Sequence, residues 1–210
     1  MNNVSSETST AGIPVGQLPS SVAVTPDGSH AYVVGLIDGG IRRIETATNT
    51  LDPSKIEGHI GVGFSEGFAI SSDGRLGYAA DQSMGGLRVI DIENNTATDK
   101  LIMLNDSAPR AVAITPDPAS VDFTRDGRRL LVVNASGIID DTVSTISVIN
   151  TATNKVVGSE VSLGLPAGTT ALGIAIIDDE GDTCITCWDS RAGLGTIRII
   201  PTLTILEQVP

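Results

Sequence analysis

Few residues in this chain are of types that do chemistry, and their spacing argues against most catalysis. Gly63-Phe64-Ser65-Glu66-Gly67 has the G-x-S-x-G form of a nucleophile elbow. That motif works only on a sharp strand-to-helix turn that bares the serine beside an oxyanion hole. Here an apolar strand pattern, Phe68-Ala69-Ile70, follows it, so Ser65 is not read as a nucleophile. A serine or cysteine nucleophile also needs a base within hydrogen-bond reach. The two histidines do not offer one: His30 stands just after a turn signal, and His59 closes a repeat unit on the far side from Ser65 and Cys184. Cys184 and Cys187 fall on one strand pattern, where residues three apart point to opposite faces about 10 Å from each other along the chain. They are not expected to bridge, and a lone C-x-x-C without a second pair makes no zinc site. Asp178-Asp179-Glu180-Gly181-Asp182 lacks the alternating ligand spacing of a calcium loop and reads as a hairpin turn. No catalytic residue is assigned.

The composition says what must position the remaining polar groups. The chain has 210 residues, is 40% hydrophobic, and holds 23 Gly and 10 Pro, so it can bury a core and turns often. Runs rich in Val, Ile and Thr between those turns make it all-β. With 13 basic against 25 acidic residues the net charge is −12, and the first Lys or Arg is Arg42. Contacts that neutralise phosphates are therefore poorly supplied, and nucleic acid is excluded as a partner. No apolar run reaches the ~18 residues of a membrane span. Residues 1–12 have neither a basic n-region nor an apolar h-region, so no signal peptide is read there.

A repeat organises the chain. Val22-Ala23-Val24, Phe68-Ala69-Ile70, Val112-Ala113-Ile114 and Ile174-Ala175-Ile176 share one large-Ala-large strand pattern. Turns at Thr25–Gly28, Ser71–Gly74, Arg125–Gly127 and Asp179–Gly181 follow, each with the Gly a tight hairpin needs at positive φ. Counting four residues on from that Gly gives Tyr32, Tyr78, Leu131 and Ile185, which are expected on one buried face between neighbouring units. Third strands end at Ile44, Ile90, Ile149 and Ile200, spaced 46, 59 and 51 residues apart. Such a period with four strands per unit is that of propeller blades. The expected blades are 16–60, 61–106, 107–163 and 164–210, with 1–15 as the tail or outer strand of a preceding or closing blade. The small Ala23, Ala69, Ala113 and Ala175 are expected to be buried along the crowded inner edge.

The residues also carry a resemblance. Ser21-Val-Ala-Val-Thr-Pro-Asp-Gly28, Leu131-Val-Val-Asn134 and Ile146-Ser-Val-Ile-Asn-Thr-Ala-Thr-Asn-Lys-Val-Val157 resemble the YVTN-type β-propeller repeat. The likeness covers nearly the whole chain, although the final Asn of the tetrad survives only at Asn134; Trp188 is read at that place in the last blade, for packing or as a stacking platform. It implies four four-stranded antiparallel blades. Because the family's rings have more blades, the arc is expected to be part of a larger propeller, with a closed four-blade ring or two arcs joined as a dimer as alternatives. Open terminal blades imply self-association. The resemblance also implies an exported or cell-surface protein.

In such propellers the connections between strands two and three, and from one blade to the next, emerge on one face where ligands bind. That places Glu66, Asp81, Asp106, Arg110, Asn134, Asp140, Asp141, Asp189 and Arg191 on the candidate binding face. Blade three is the irregular one: Ala113 to Ile149 spans 36 residues, against 21 from Ala23 to Ile44. Part of the excess duplicates the strand-one motif, as Ala111–Asp117 and again as Ser120–Gly127, and one copy must leave the inner position. The rest, Ser136–Asp141, lengthens the loop after strand two. The favoured function is a non-enzymatic binding or scaffold propeller that presents this polar face to a protein, glycan or small ligand, with no cofactor. The alternative is a lactonase-like hydrolase in which Glu66, Asn134 and Asp189 hold Ca²⁺ or another divalent ion at the channel mouth.

Overall fold

The structure, a computed structural model, describes residues 12–35, 40–56, 67–81, 84–104, 117–123, 128–135, 144–176 and 182–209. These form four antiparallel sheets, each hydrogen-bonded in chain order. Blade one is β1 (Pro19–Val24), β2 (His30–Gly35), β3 (Ile41–Glu45) and β4 (Thr50–Ile56), and blade two is β5 (Phe68–Ile70), β6 (Leu76–Asp81), β7 (Gly86–Asp91) and β8 (Thr96–Met103). Blade three is β9 (Asp117–Phe123), β10 (Arg129–Ala135) and β11 (Thr145–Asn150), with its outer strand broken into β12 (Lys155–Val156) and β13 (Val161–Ser162), both paired to β11. Blade four is β14 (Thr169–Ile176), β15 (Asp182–Asp189) and β16 (Leu194–Pro201), after which the chain turns into the short helix α1 (Thr202–Glu207) instead of a fourth strand. Among the described residues no helix is long and apolar enough to cross a membrane.

The first hairpins of blades one and two are set by a local hydrogen-bond code. In the first, the Asp27 carboxylate accepts from the Thr25 hydroxyl at 2.6 Å and the Ser29 amide at 3.0 Å, while the Thr25 hydroxyl accepts from the His30 amide at 3.0 Å. Blade two repeats this: Asp73 accepts from the Ser71 hydroxyl at 2.6 Å and the Arg75 amide at 3.0 Å, and Ser71 accepts from the Leu76 amide at 3.0 Å. Gly28 and Gly74 both sit at φ 72°, which a side chain would strain. Between strands three and four the corner residue is Asn49, Asn95 or Asn154, at φ 54°, 52° and 54°. Asparagine tolerates that left-handed conformation better than other residues with side chains.

Packing then follows from the period of two along each strand. Tyr32, Val34, Ile41 and Ile56 of blade one meet Phe68, Ala79, Ile90 and Ile92 of blade two. Tyr78, Ala80, Leu87 and Val89 of blade two meet Leu130, Val132 and Ile149 of blade three. Leu131, Val133, Ile146 and Val148 of blade three meet Ala171, Ile185 and Cys187 of blade four, with Ile205 of α1 completing the cluster. So every internal contact lays the leading face of one blade on the trailing face of the next. Burying each large side chain contributes about 1.5–3 kcal/mol. The arc is open: the inner strands β1, β5, β9 and β14 follow one another in contact, and no buried core cluster among the described residues joins blade four to blade one.

Three expectations are corrected by the register. Tyr32, Tyr78, Leu131 and Ile185 are all buried, but Ile185 faces backward onto blade three while the other three face forward. The pairs Ala23↔Tyr32, Ala69↔Tyr78 and Ala175↔Cys184 show that Cys184 is the true equivalent. Counting from Gly fails in blade four because Gly181 comes six residues after Ala175, whereas Gly28 comes five after Ala23. Second, the inner strand of blade three is the later copy of its duplicated motif: Asp122 pairs with Leu131 as Ala69 pairs with Tyr78. Ala113 is therefore not on that strand and lies outside the described residues. Third, of the three described alanines Ala69 is buried, Ala23 is half-buried, and Ala175 is exposed, since no described blade covers the leading face of blade four.

Candidate functional site

With the register fixed, one position recurs near the end of strand two in each blade: Gly35, Asp81, Asn134 and Cys187, three residues after Tyr32, Tyr78, Leu131 and Cys184. Trp188 is thus one residue beyond the position that Asn134 holds in blade three, and its ring lies on the opposite face, 41% exposed. Asp81 is fully buried; one oxygen accepts from Arg88 Nε at 2.9 Å and the other from the Met84 amide at 3.2 Å. The guanidinium stands on β7, across the hairpin, so this pair locks strands two and three together at the blade end.

Asn134 is built differently. It is also fully buried, and its Nδ2 donates to Ser147 Oγ at 2.8 Å and Thr145 Oγ1 at 3.1 Å. The Thr145 hydroxyl in turn donates to Glu160 Oε2 at 2.8 Å. Two acceptors of this network, Asn134 Oδ1 and Glu160 Oε1, are buried with no hydrogen-bond partner. A buried acceptor left unmatched costs about 1–3 kcal/mol, so these oxygens suit a donor brought from outside.

A second polar region opens at the other end of the blades. A cleft of about 440 Å³ lies between the first hairpins of blades one and two, lined by Asp27, Ser29, His30, Arg43, Asp73 and Arg75 among others. Ser29 Oγ is 2.7 Å from His30 Nδ1, and His30 Nε2 is 2.8 Å from Glu45 Oε1, a serine-histidine-glutamate chain. The Ser29 hydroxyl, however, also contacts both Asp27 oxygens at 2.8 and 2.9 Å. Those bonds, led by the one from Thr25, hold the Asp27 carboxyl down at about 2. Because blade two makes the same turn around Asp73 with Arg75 in place of the serine, Asp27 serves the hairpin. Arg43 is likewise committed, through its Nε and Nη2, to Asp52. The histidine link escaped sequence reading because it spans two strands; only the pairing of His30 with Glu45 reveals it.

No family model matches the chain, and no curated protein matches it in sequence. Among solved structures 623 chains match, a breadth that points to a widely shared architecture. The hydrazine synthase of Kuenenia stuttgartiensis aligns with a TM-score of 0.58 and 16% identity, over 95% of this chain and 53% of that one. The structure of U3-55K aligns with a TM-score of 0.58 and 16% identity, over 89% of this chain and 53% of that one. The fold is an open β-propeller of four blades. The chain spans about half the length of the solved structures it matches.

On this propeller the expected binding residues divide. Asp81, Asn134 and Asp189 all lie toward the strand-two end of their blades, but each makes its own local bonds. Asp189 Oδ1 accepts from the Arg191 and Ala192 amides at 2.8 and 3.0 Å and so shapes the β15–β16 turn. The Arg191 side chain lies against Gly168, whose φ of 83° would strain any residue with a side chain. Glu66, Asp106, Arg110, Asp140 and Asp141 lie outside the described residues. Among the described residues no three His, Cys, Asp or Glu side chains gather where they could hold a metal ion. Glu160 was not anticipated: it lies between β12 and β13, where no repeat signal marks it.

Proposed function

We propose that the chain is a binding or scaffold propeller of the YVTN-repeat type, presenting its strand-two loop face to a ligand rich in hydrogen-bond donors, such as a glycan or an amine-bearing group. The observation that supports this reading is the pair of buried, unpartnered oxygens of Asn134 and Glu160. Asn134 closes the tetrad Leu131–Asn134 that most resembles the family repeat, and the long connection carrying Asp140 and Asp141 leaves β10 directly after it. Asp81 shows the contrast: its oxygens are consumed within the blade. An ammonium that reaches Asn134 Oδ1 and Glu160 Oε1, or a hydroxyl that reaches the Glu160 carboxylate, gains a charge-assisted bond in a water-poor place, where it is strongest.

A thermal-shift screen of neutral sugars, amino sugars and lysine-tipped peptides tests the reading. At least one class should raise the melting temperature of the wild type and leave Asn134→Leu, which keeps the branched outline and removes the amide, unmoved. A panel that shifts neither protein, or both alike, contradicts it.

A further inference from the structure

Blades two and three fill the same station of the repeat with different chemistry. The pairs Ala79↔Arg88 and Val132↔Ser147 put Ser147 where blade two has Arg88, and the pairs Asp81↔Gly86 and Asn134↔Thr145 put Asn134 and Thr145 where it has Asp81 and Gly86. On the outer strand Glu160 precedes Val161, the partner of Ile146, as Leu101 precedes Ile102, the partner of Leu87. Blade two is complete within itself. Its Arg88 guanidinium bonds the buried Asp81 carboxylate, and Leu101 covers Gly86, 3.3 Å from where a Cβ would stand. In blade three a serine replaces the arginine, so the cation is gone and the longer side chain with it. The acid has only moved: Asn134 takes the place of Asp81, and the carboxylate arrives from the outer strand as Glu160.

The donors of this station are spent inside it. Asn134 Nδ2 donates to Ser147 and Thr145, and the Thr145 hydroxyl donates to Glu160 Oε2. Asn134 Oδ1 and Glu160 Oε1 are left over, both buried and both acceptors. Among the described residues no Lys or Arg pairs with Glu160, whereas Asp81 has Arg88. A carboxylate oxygen kept from water without a cation costs more than an amide oxygen in the same place. We infer that blade three takes an external cation bearing N–H donors, a guanidinium or a primary ammonium, at the station that Arg88 fills in blade two. The inference rests on the binding reading above and narrows its ligand, because a neutral sugar brings donors but no charge for Glu160. The net charge of −12 draws cations of this kind toward the protein.

Thermal shifts of the full chain at low ionic strength test it with four probes: methylguanidinium, methylammonium, tetramethylammonium, which carries the charge without N–H donors, and N-methylurea, which carries the donors without the charge. At least one of the first two should raise the melting temperature saturably, and the last two should not. Ser147→Arg, which restores the cation from within, should melt higher than wild type and lose the response. Glu160→Gln, which keeps the shape and the acceptor for Thr145, should lose the response too, and it decides alone if Ser147→Arg fails to fold. Tighter binding of an arginine- or lysine-tipped peptide than of the free cation assigns the group to a protein partner, and equal binding assigns it to a small molecule. A cation response that Glu160→Gln retains overturns the inference. So does a neutral sugar that shifts the wild type and not Asn134→Leu while the cations shift neither, an outcome that leaves the binding reading standing. Silence from every probe and sugar, as expected if ordered water alone satisfies the two oxygens, overturns both.

Discussion

In blade two, Leu87 and Val89 are sealed beneath blade three, whereas in blade four Ile197 and Ile199 occupy the same register and lie mostly in solvent. The strands, pairing and apolar alternation are alike; what differs is the neighbour. Period-two alternation sends successive apolar residues to opposite faces of a blade, and the burial energy arises only where another blade supplies the cover. A side chain's contribution to stability should then depend on its position along the arc more than on its chemistry.

The largest expected effect breaks that comparison directly. Leu87→Ala should cost about 2–5 kcal/mol of unfolding free energy, the range for a large side chain deleted from a packed core. Ile197→Ala, at the matching position in dilute protein, should cost under about 0.5 kcal/mol. Urea titrations of both variants read the difference, and equal losses would mean that blade four is covered in the monomer.

A smaller effect sharpens the comparison at the blade junctions. The Tyr78 hydroxyl donates to Asn154 Oδ1 at 2.8 Å, reaching from blade two to the corner of blade three, while the Tyr32 hydroxyl reaches the Ile92 carbonyl at 3.4 Å. Leu131 and Cys184, at the same register in blades three and four, have no hydroxyl to offer. Tyr78→Phe should cost about 1 kcal/mol. Burial pushes the Tyr78 phenol up to about 12 from its usual 10. Its folded value lies above its unfolded one, so the associated stability is intact below pH 10 and is lost as the pH climbs from 10 through 12. Stability measured across that window should fall for the wild type and fall less for Tyr78→Phe.

The repeat made the blades legible before any coordinates, because turn glycines and large-Ala-large strands carry their meaning locally. What it could not convey depends on pairs across strands. The placement of Ile185 went astray because Gly181 sits one residue later than its counterparts, a shift that only strand pairing exposes. The duplicated motif of blade three offered two inner strands of equal local quality, and the chain uses the second. Of the proposed binding face, Asp81 and Asn134 were marked by sequence, yet the difference between them was not: Arg88 bonds one from seven residues away, while Thr145 and Ser147 of β11 hold the other and Glu160 joins through Thr145.

The register of blade four decides which of its faces is uncovered, and its two free cysteines report on it. Cys184 is partly exposed on the uncovered leading face; Cys187 is buried against blade three, where burial also pushes its thiol up and away from the reactive thiolate. Site-resolved alkylation of dilute native protein, followed by mass spectrometry, should label Cys184 rapidly and Cys187 only at the rate of unfolding. Equal rates, or faster labelling of Cys187, would place the faces of blade four the other way round and contradict the account.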